Sequence, residues 1–246
     1  MSIDVQTAPN HVSLLRTPLG QSLNIGLKHF DVDYLKEKKS ITRTAQGRAQ
    51  VYFFMQENQE LVLRHYYRGG LLGKLNKDKF IFTGIKTTRG FTELDILSFL
   101  DQHGLNVAQA VAARITRKGL FYQADIITAA VPAAQELHQM LKQHAVDDKI
   151  WHAIGVTLGK LHKLNVRHDD INVKNVLVQN DNSIALIDFD KCRQQALGNW
   201  KSANIARFYR SLIKQHGLNK PYYFAQSNWE TLQVGYTSMV QEDLDA

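Results

Sequence analysis

A single cysteine, Cys192, occurs in the 246 residues, which excludes an internal disulfide framework and suits a reducing compartment such as the cytoplasm. Long apolar runs are missing too, since no stretch approaches the roughly 20 residues that cross a bilayer. Residues 1–30 lack a basic cluster followed by an apolar run, which argues against an export signal. There is no internal repeat and no low-complexity tract. The run Gly69-Gly-Leu-Leu-Gly-Lys74 fails as a P-loop, because its first glycine falls at the wrong distance and Leu75 stands where Ser or Thr must bind magnesium. The ten histidines show no HExxH or comparable metal-ligand spacing. Acids are the scarcer charge: 23 Asp and Glu face 30 Lys and Arg, a formal charge of +7. Such an excess favours polyanionic partners, whether nucleic acid, anionic lipid headgroups or phosphorylated substrates.

What is present is an ordinary globular composition, 44% apolar and 22% charged, in a chain long enough for one large domain or two lobes. The basic residues are concentrated. Residues 64–90 hold Arg64, Arg68, Lys74, Lys77, Lys79, Lys86 and Arg89 against Asp78 as the only acid, interleaved with Tyr66, Tyr67, Phe80 and Phe82. The first forty residues are weakly patterned, and Pro9 and Pro18 argue against a long early helix. Val51–Met55 and Glu60–Arg64 read as strands joined by the polar connector Gln56–Gln59. Apolar residues at helical spacing predict a helix over Phe91–His103, with Gly104 as its C-terminal cap. Gly119–Ile127 reads as a further, half-buried strand. Near Thr128–Pro132 the pattern turns helical. Ile150, Ile154, Leu158 and Leu161 recur with a helical period, and Gly155 and Gly159 allow close packing. Asn175–Val178 and Ile184–Ile187 form a second hairpin around Gln179–Asn182, and a helix follows over 200–216.

The segment His168-Asp-Asp-Ile-Asn-Val-Lys-Asn175 carries the chemistry. It resembles the H-x-D-x-x-x-x-N catalytic loop of the protein-kinase-like superfamily, with Asp170 and Asn175 in the two working positions. A carboxylate there accepts or orients the proton of an attacking hydroxyl, and the amide oxygen five residues on reaches a metal ion beside the phosphates. Ile187-Asp188-Phe189-Asp190 ends the following hairpin where that superfamily carries its metal-binding D-F-G aspartate, with Asp190 replacing the glycine. Asp and Asn are common turn residues, so neither motif alone would decide the matter. Their order, the preceding helix and the intervening hairpin do. His168 is expected to brace the loop and not to carry protons, and Cys192 to be a packing residue.

Upstream, Gly47 in Thr44–Ala49 matches a phosphate-covering turn with one glycine only. Leu61-Val-Leu-Arg64 stands where V-A-I-K would, with Arg64 for lysine, and Glu93 is the candidate to pair with it. A solvated carboxylate at a helix start is the alternative for Glu93. The adenine of ATP is expected on the backbone around Thr128 and Ala130, and Mg²⁺ on Asn175 and Asp188, which supply the hard oxygens it prefers. The implied fold is α+β and bilobal, with a β-rich N-lobe over 1–128 and a reduced helical C-lobe over 129–246.

Leu63-Arg-His-Tyr-Tyr-Arg-Gly-Gly-Leu-Leu-Gly-Lys74, Thr88-Arg-Gly-Phe-Thr-Glu93, the loop through Asn175 and Leu186-Ile-Asp-Phe-Asp190 are similar to the lipopolysaccharide core kinases. The third-strand arginine and the Tyr-Arg-Gly-Gly run most resemble the members acting on 3-deoxy-D-manno-octulosonic acid (Kdo). That resemblance implies ATP-dependent phosphorylation of the 4-hydroxyl of a Kdo residue on a lipid A precursor. It also implies a peripheral position at the cytoplasmic face of the inner membrane. Residues 191–246 contain no A-P-E-like segment, and they are few for the peptide-docking helices of a protein kinase. The basic segment suits an anionic glycolipid and an anionic membrane surface; a solvated loop near ATP is the alternative reading. No nucleic-acid partner and no obligate protein partner are expected. Two alternatives stand: another small-molecule or protein kinase of the same fold, and a catalytically inactive nucleotide-binding membrane adaptor.

Overall fold

The computed structural model describes residues 3–46, 50–68, 78–196 and 198–241. The chain divides into two compact units, residues 1–99 with 109–130, and residues 100–108 with 131–246.

The first unit is built on one antiparallel sheet. In chain order its elements are β1 (Asp4–Thr7), β2 (Val12–Arg16), short helices α1 (Pro18–Ser22) and α2 (Val32–Glu37), β3 (Ile41–Gln46), β4 (Gln50–Gln56), β5 (Gln59–His65), β6 (Phe80–Ile81), α3 (Arg89–Gln102), β7 (Ala110–Lys118) and β8 (Phe121–Ala129). The strands run β1-β2-β7-β8-β5-β4-β3, and β6 adds to β8 beyond the end of β5. The predicted β4–β5 hairpin forms, its turn made by Glu57 and Asn58, both with positive φ, as a tight two-residue connection requires. Register sorts the faces. Leu63, Ile127 and Ala112 form one cross-strand row that packs with Leu23, Ile25 and Phe30. Arg64, Ile126 and Ala113 form the adjacent row on the opposite face. Gly90 brings α3 onto that second face: a Cβ there would stand 2.9 Å from the Ala113 Cβ. The expected Gly104 cap is present, with φ +71 and the Leu105 amide returning to the Leu100 carbonyl.

Three expectations are corrected. The weakly patterned N-terminus contains the β1–β2 hairpin, and Val12–Arg16 pairs with β7; the sheet supplies the ordering that local pattern did not announce. Gly119 is not part of a strand. With φ +61 it turns the chain between β7 and β8, and β8, flanked on both sides, is almost wholly buried rather than half-buried. Nor does helix begin directly after Pro132, because a short strand intervenes.

That strand, β9 (Ala134–Glu136), opens the second unit. It is followed by α4 (Leu137–Gln143), α5 (Asp148–Lys163), β10 (Val166–Arg167), β11 (Val176–Gln179), β12 (Ile184–Leu186), β13 (Arg193–Gln194), α6 (Trp200–Leu218) and α7 (Gln226–Gln241). The side chain of Asp147 caps α5 by accepting from the Lys149 amide. Ile150, Ile154, Leu158 and Leu161 line its buried face as the spacing predicts. Side chains at Gly155 and Gly159 would collide with Leu232, Tyr236 and Met239 of α7, so these glycines are what lets the two helices touch backbone to backbone. Asn165, at φ +55, stops α5 and turns the chain into β10 and the loop beyond it. β11 pairs with β12 and β9 in a small antiparallel sheet. The segment after α3 docks on it through Asn106, whose side chain donates to Gln179 at 2.7 Å.

Candidate active site

In the second unit the loop 168–175 sits between β10 and β11 and is held at several points. His168 is completely buried. Its Nδ1 accepts from the Asp170 amide at 3.3 Å, so the proton is on Nε2, which donates to the Ile187 carbonyl at 3.1 Å. Burial pushes its pKa below the ordinary value, as expected of a neutral brace. The side-chain nitrogens of Asn172 and Asn175 both donate to the Asp170 carbonyl, at 2.8 and 2.9 Å. The Ile187 amide donates to the Asn175 carbonyl at 3.1 Å, continuing the β11–β12 ladder and setting Asp188 beside Asn175. Asp188 has φ +64, a left-handed conformation that a non-glycine residue adopts at a cost and that clusters at functional sites.

The side chain of Asp170 is half exposed and is met by Arg207 of α6, whose Nη2 donates to Oδ1 at 2.5 Å. Asp169, its neighbour, turns instead into a structural pair of bridges, to Arg167 and Arg193, each at 2.6 Å. These tie the loop to the β10–β13 ribbon. Behind the loop runs a buried polar chain. The Tyr236 hydroxyl donates to His162 Nδ1 at 2.8 Å, His162 Nε2 donates to the Asn204 Oδ1 at 3.1 Å, and Asn204 Nδ2 donates to the His168 carbonyl at 2.8 Å. Burial lowers the His162 pKa to about 4 and raises that of Tyr236, so the histidine stays neutral and the phenol stays a donor.

In the first unit, Arg64 Nη2 donates to Glu93 Oε1 at 2.5 Å, and the Tyr66 hydroxyl donates to Glu93 Oε2 at 2.6 Å. Glu93 is only 2% exposed, so it is a buried partner and not a solvated helix-start carboxylate; the charge-assisted bond fixes the guanidinium against α3. Thr128 and Ala130 lie at the end of β8, where the Ala130 amide donates to the Glu60 carbonyl at 2.9 Å. An adenine contact drawing on that N–H would have to replace this bond. Gly47 and the run 69–74 lie outside the described residues.

The donor set on the loop suits a hard cation. Asn175 uses its side-chain nitrogen on the Asp170 carbonyl, which orients its amide oxygen away from that bond, and Asp188, one residue past the Ile187–Asn175 backbone bond, is the carboxylate next along the chain. Among the described residues no three His, Cys, Asp or Glu side chains form a cluster that could hold a metal by themselves, which is expected where phosphate oxygens complete the shell.

The sequence model of the lipopolysaccharide kinase (Kdo/WaaP) family matches residues 32–236. The chain belongs to that family. Its mixed sheet-and-helix architecture is the kinase-like fold of the Kdo/WaaP proteins. Similar proteins named 3-deoxy-D-manno-octulosonic acid kinase include one from Photobacterium profundum, 41% identical over 207 residues, covering 84% of this chain and 87% of the relative. One from Vibrio vulnificus is 37% identical, with 85% and 88% covered. One from Haemophilus influenzae is 38% identical, with 84% and 89% covered.

Four site residues of this Kdo/WaaP kinase were not picked out from sequence: Tyr66, His162, Asn204 and Arg207. For Asn204 a signal existed, because it falls on the apolar stripe with Phe208 and Leu212 at helical spacing, and a polar residue on a buried stripe implies a partner. For Arg207 none did. It is one of several cations on a long basic helix.

Proposed function

We propose that this chain is an ATP-dependent sugar kinase that phosphorylates the 4-hydroxyl of a Kdo residue on a lipid A precursor during lipopolysaccharide core assembly. The observation that carries the reading is the braced loop: the Asp170 carboxylate is half exposed, its backbone carbonyl takes the Asn175 side-chain amide, and the Ile187–Asn175 backbone bond ties the strand that leads into Asp188 to the same loop. The names of the relatives support the acceptor.

In this reading Asp170 is the base. The acceptor hydroxyl gives its proton to the Asp170 carboxylate as its oxygen attacks the γ-phosphorus. The bond from that phosphorus to the bridging oxygen breaks, and ADP leaves with the electron pair. Asn175 and Asp188 would hold Mg²⁺, which when bound neutralises charge on the phosphate oxygens. Arg64, steadied by Glu93 and Tyr66, would contact phosphate. The backbone near Thr128 and Ala130 would receive the adenine. Most of the rate enhancement then comes from positioning and charge neutralisation.

Among the described residues no helix is long and apolar enough to cross a membrane. The basic segment 64–90 supports a peripheral position at the anionic cytoplasmic face of the inner membrane, where the lipid acceptor would be met. The test is transfer of labelled phosphate from ATP to Kdo-lipid A precursor, beside peptides and free sugars. Asp170→Ala should lose roughly 100- to 10,000-fold in turnover while still binding ATP. Wild-type turnover in that variant would sink the assignment of the base, and transfer to peptides alone would sink the acceptor.

A further inference from the structure

β6, β7 and β8 meet at one end of the first unit's sheet. Phe80 pairs with Tyr122 and Ile81 with Phe121 across β6–β8, while Lys118 pairs with Phe121 across β7–β8. Residues directly opposite on neighbouring strands share a face. Phe80 and Tyr122 therefore point the same way, and both are buried. Ile81, Phe121 and Lys118 form a row on the opposite face. This row is exposed: Ile81 by 64% and Phe121 by 40%, with Leu120 in the adjoining turn at 75%. The Phe82 amide donates to the Leu120 carbonyl at 2.9 Å, so the three apolar side chains are carried on one hydrogen-bonded ribbon. They are not scattered over separate loops.

Single exposed apolar residues are ordinary; a contiguous set on a rigid edge is not. Its rim is cationic. Lys79 precedes β6 and is exposed, as is Lys118; Arg117 pairs with Tyr122 and lies on the other face, stacked on Phe82 with its guanidinium carbon 4.5 Å from the ring centroid. The acids further along this face are already engaged by other side chains. Asp125 accepts from Arg114 at 2.9 Å and is 2.7 Å from His65, and Asp78 is bonded to His65 and Gln123. A surface with large apolar side chains at its centre and exposed Lys beside them is complementary to an anionic bilayer interface. Apolar groups enter the headgroup boundary while cations stay at the phosphate level.

We infer that the ribbon formed by Ile81, Leu120 and Phe121, with Lys79 and Lys118, is the membrane-docking edge of the protein. The inference rests on the peripheral placement proposed above and names the surface that would deliver it.

The experiment uses the full chain and vesicles of phosphatidylethanolamine with phosphatidylglycerol, against neutral phosphatidylcholine vesicles. The wild type should sediment with the anionic vesicles and far less with the neutral ones. The triple variant Ile81→Ser, Leu120→Ser, Phe121→Ser should lose about 10-fold or more in partitioning. Lys118→Glu should lose about 5-fold at low salt, an effect that fades as salt is added. Both variants should keep wild-type Tm and wild-type turnover on acceptor dispersed in detergent. Equal partitioning of wild type and triple variant would overturn the inference. So would wild-type binding that ignores lipid charge, or a concentration-dependent dimer that the triple variant abolishes. No turnover by the wild type on dispersed acceptor would count against the Kdo reading alone, since the vesicle assay does not use it.

Discussion

Arg207 approaches Asp170 across a pair whose side chains are 47% and 49% exposed. Such a pair contributes about 0–1 kcal/mol to stability, so its value lies elsewhere. The guanidinium holds one carboxylate oxygen and thereby sets the rotation of the group that the proposed mechanism turns toward the acceptor hydroxyl. Small misplacements of a catalytic group cost on the order of 100-fold in rate. Arg207→Ala should therefore lower kcat by roughly 10- to 100-fold, leave the KM for ATP near its wild-type value, and shift Tm by no more than about 4 °C. Arg207→Lys should recover part of the loss, because it restores the charge but not the fork. Steady-state kinetics with both substrates varied checks this, and an unfolded Arg207→Ala protein, or one with wild-type kcat, would refute it.

At the scale of elements, the α5–α7 contact supports the loop from behind. α5 ends at Lys163, Asn165 turns the chain into β10, and α7 supplies Tyr236 to His162. Both depend on glycine. A Cβ on Gly155 would run into the Leu232 carbonyl and stand 2.7 Å from the Tyr236 amide nitrogen, and backbone cannot step aside as a flexible side chain does. Gly155→Val should cost about 3 kcal/mol, read as a lower urea midpoint, with activity falling alongside as the Tyr236–His162–Asn204 chain loosens. Gly217, near the end of α6, offers the control: nothing lies within 4 Å of a Cβ there, and Gly217→Ala should stabilise by about 0.5–1 kcal/mol. A Gly155→Val midpoint equal to wild type would show that α5 and α7 can separate freely.

For the molecule as a whole, protonation of histidine governs acid stability. Burial holds His29, His138, His162 and His168 below the ordinary histidine value. Unfolding releases them to about 6.5. Below that pH the unfolded chain binds protons that the folded chain refuses, so stability falls as pH drops. For His162 the loss continues down to its folded value of about 4 and reaches roughly 3 kcal/mol. His65 acts in the other sense. Burial opposes its charging, but the carboxylates of Asp125 and Asp78 outweigh that and raise its pKa. Its contribution is full below about 6.5 and is lost as pH rises through the raised value. Burial also raises the Glu136 carboxyl, which opposes the trend as His65 does, but His162 is lowered as far as about 4, so Tm should fall between pH 7 and pH 5, and His162→Gln should flatten part of that slope. A flat wild-type profile over this range would contradict the burial of these groups.

The loop 168–175, the hairpin that follows it and the helix that leads into them were legible as elements because they are local. Helix stop, loop, strand, turn and strand follow one another directly from Leu161 to Asp190, and each obeys its own short-range chemistry. Family membership was legible for the same reason. The Arg64–Glu93 pair could be anticipated once β5 and α3 were recognised, although its second donor, Tyr66, could not. What only the tertiary structure decided involves residues remote in the chain: Arg207 on Asp170 over 37 positions and Tyr236 on His162 over 74. It also decided the exposed row of Ile81, Phe121 and Lys118. β1, β2, β7 and α7 went unannounced as well, since a strand such as Val12–Arg16 is stabilised chiefly by the neighbour it pairs with. Which residues meet across such distances depends on register and helix packing summed over many weak contacts, and no short stretch of sequence contains that sum.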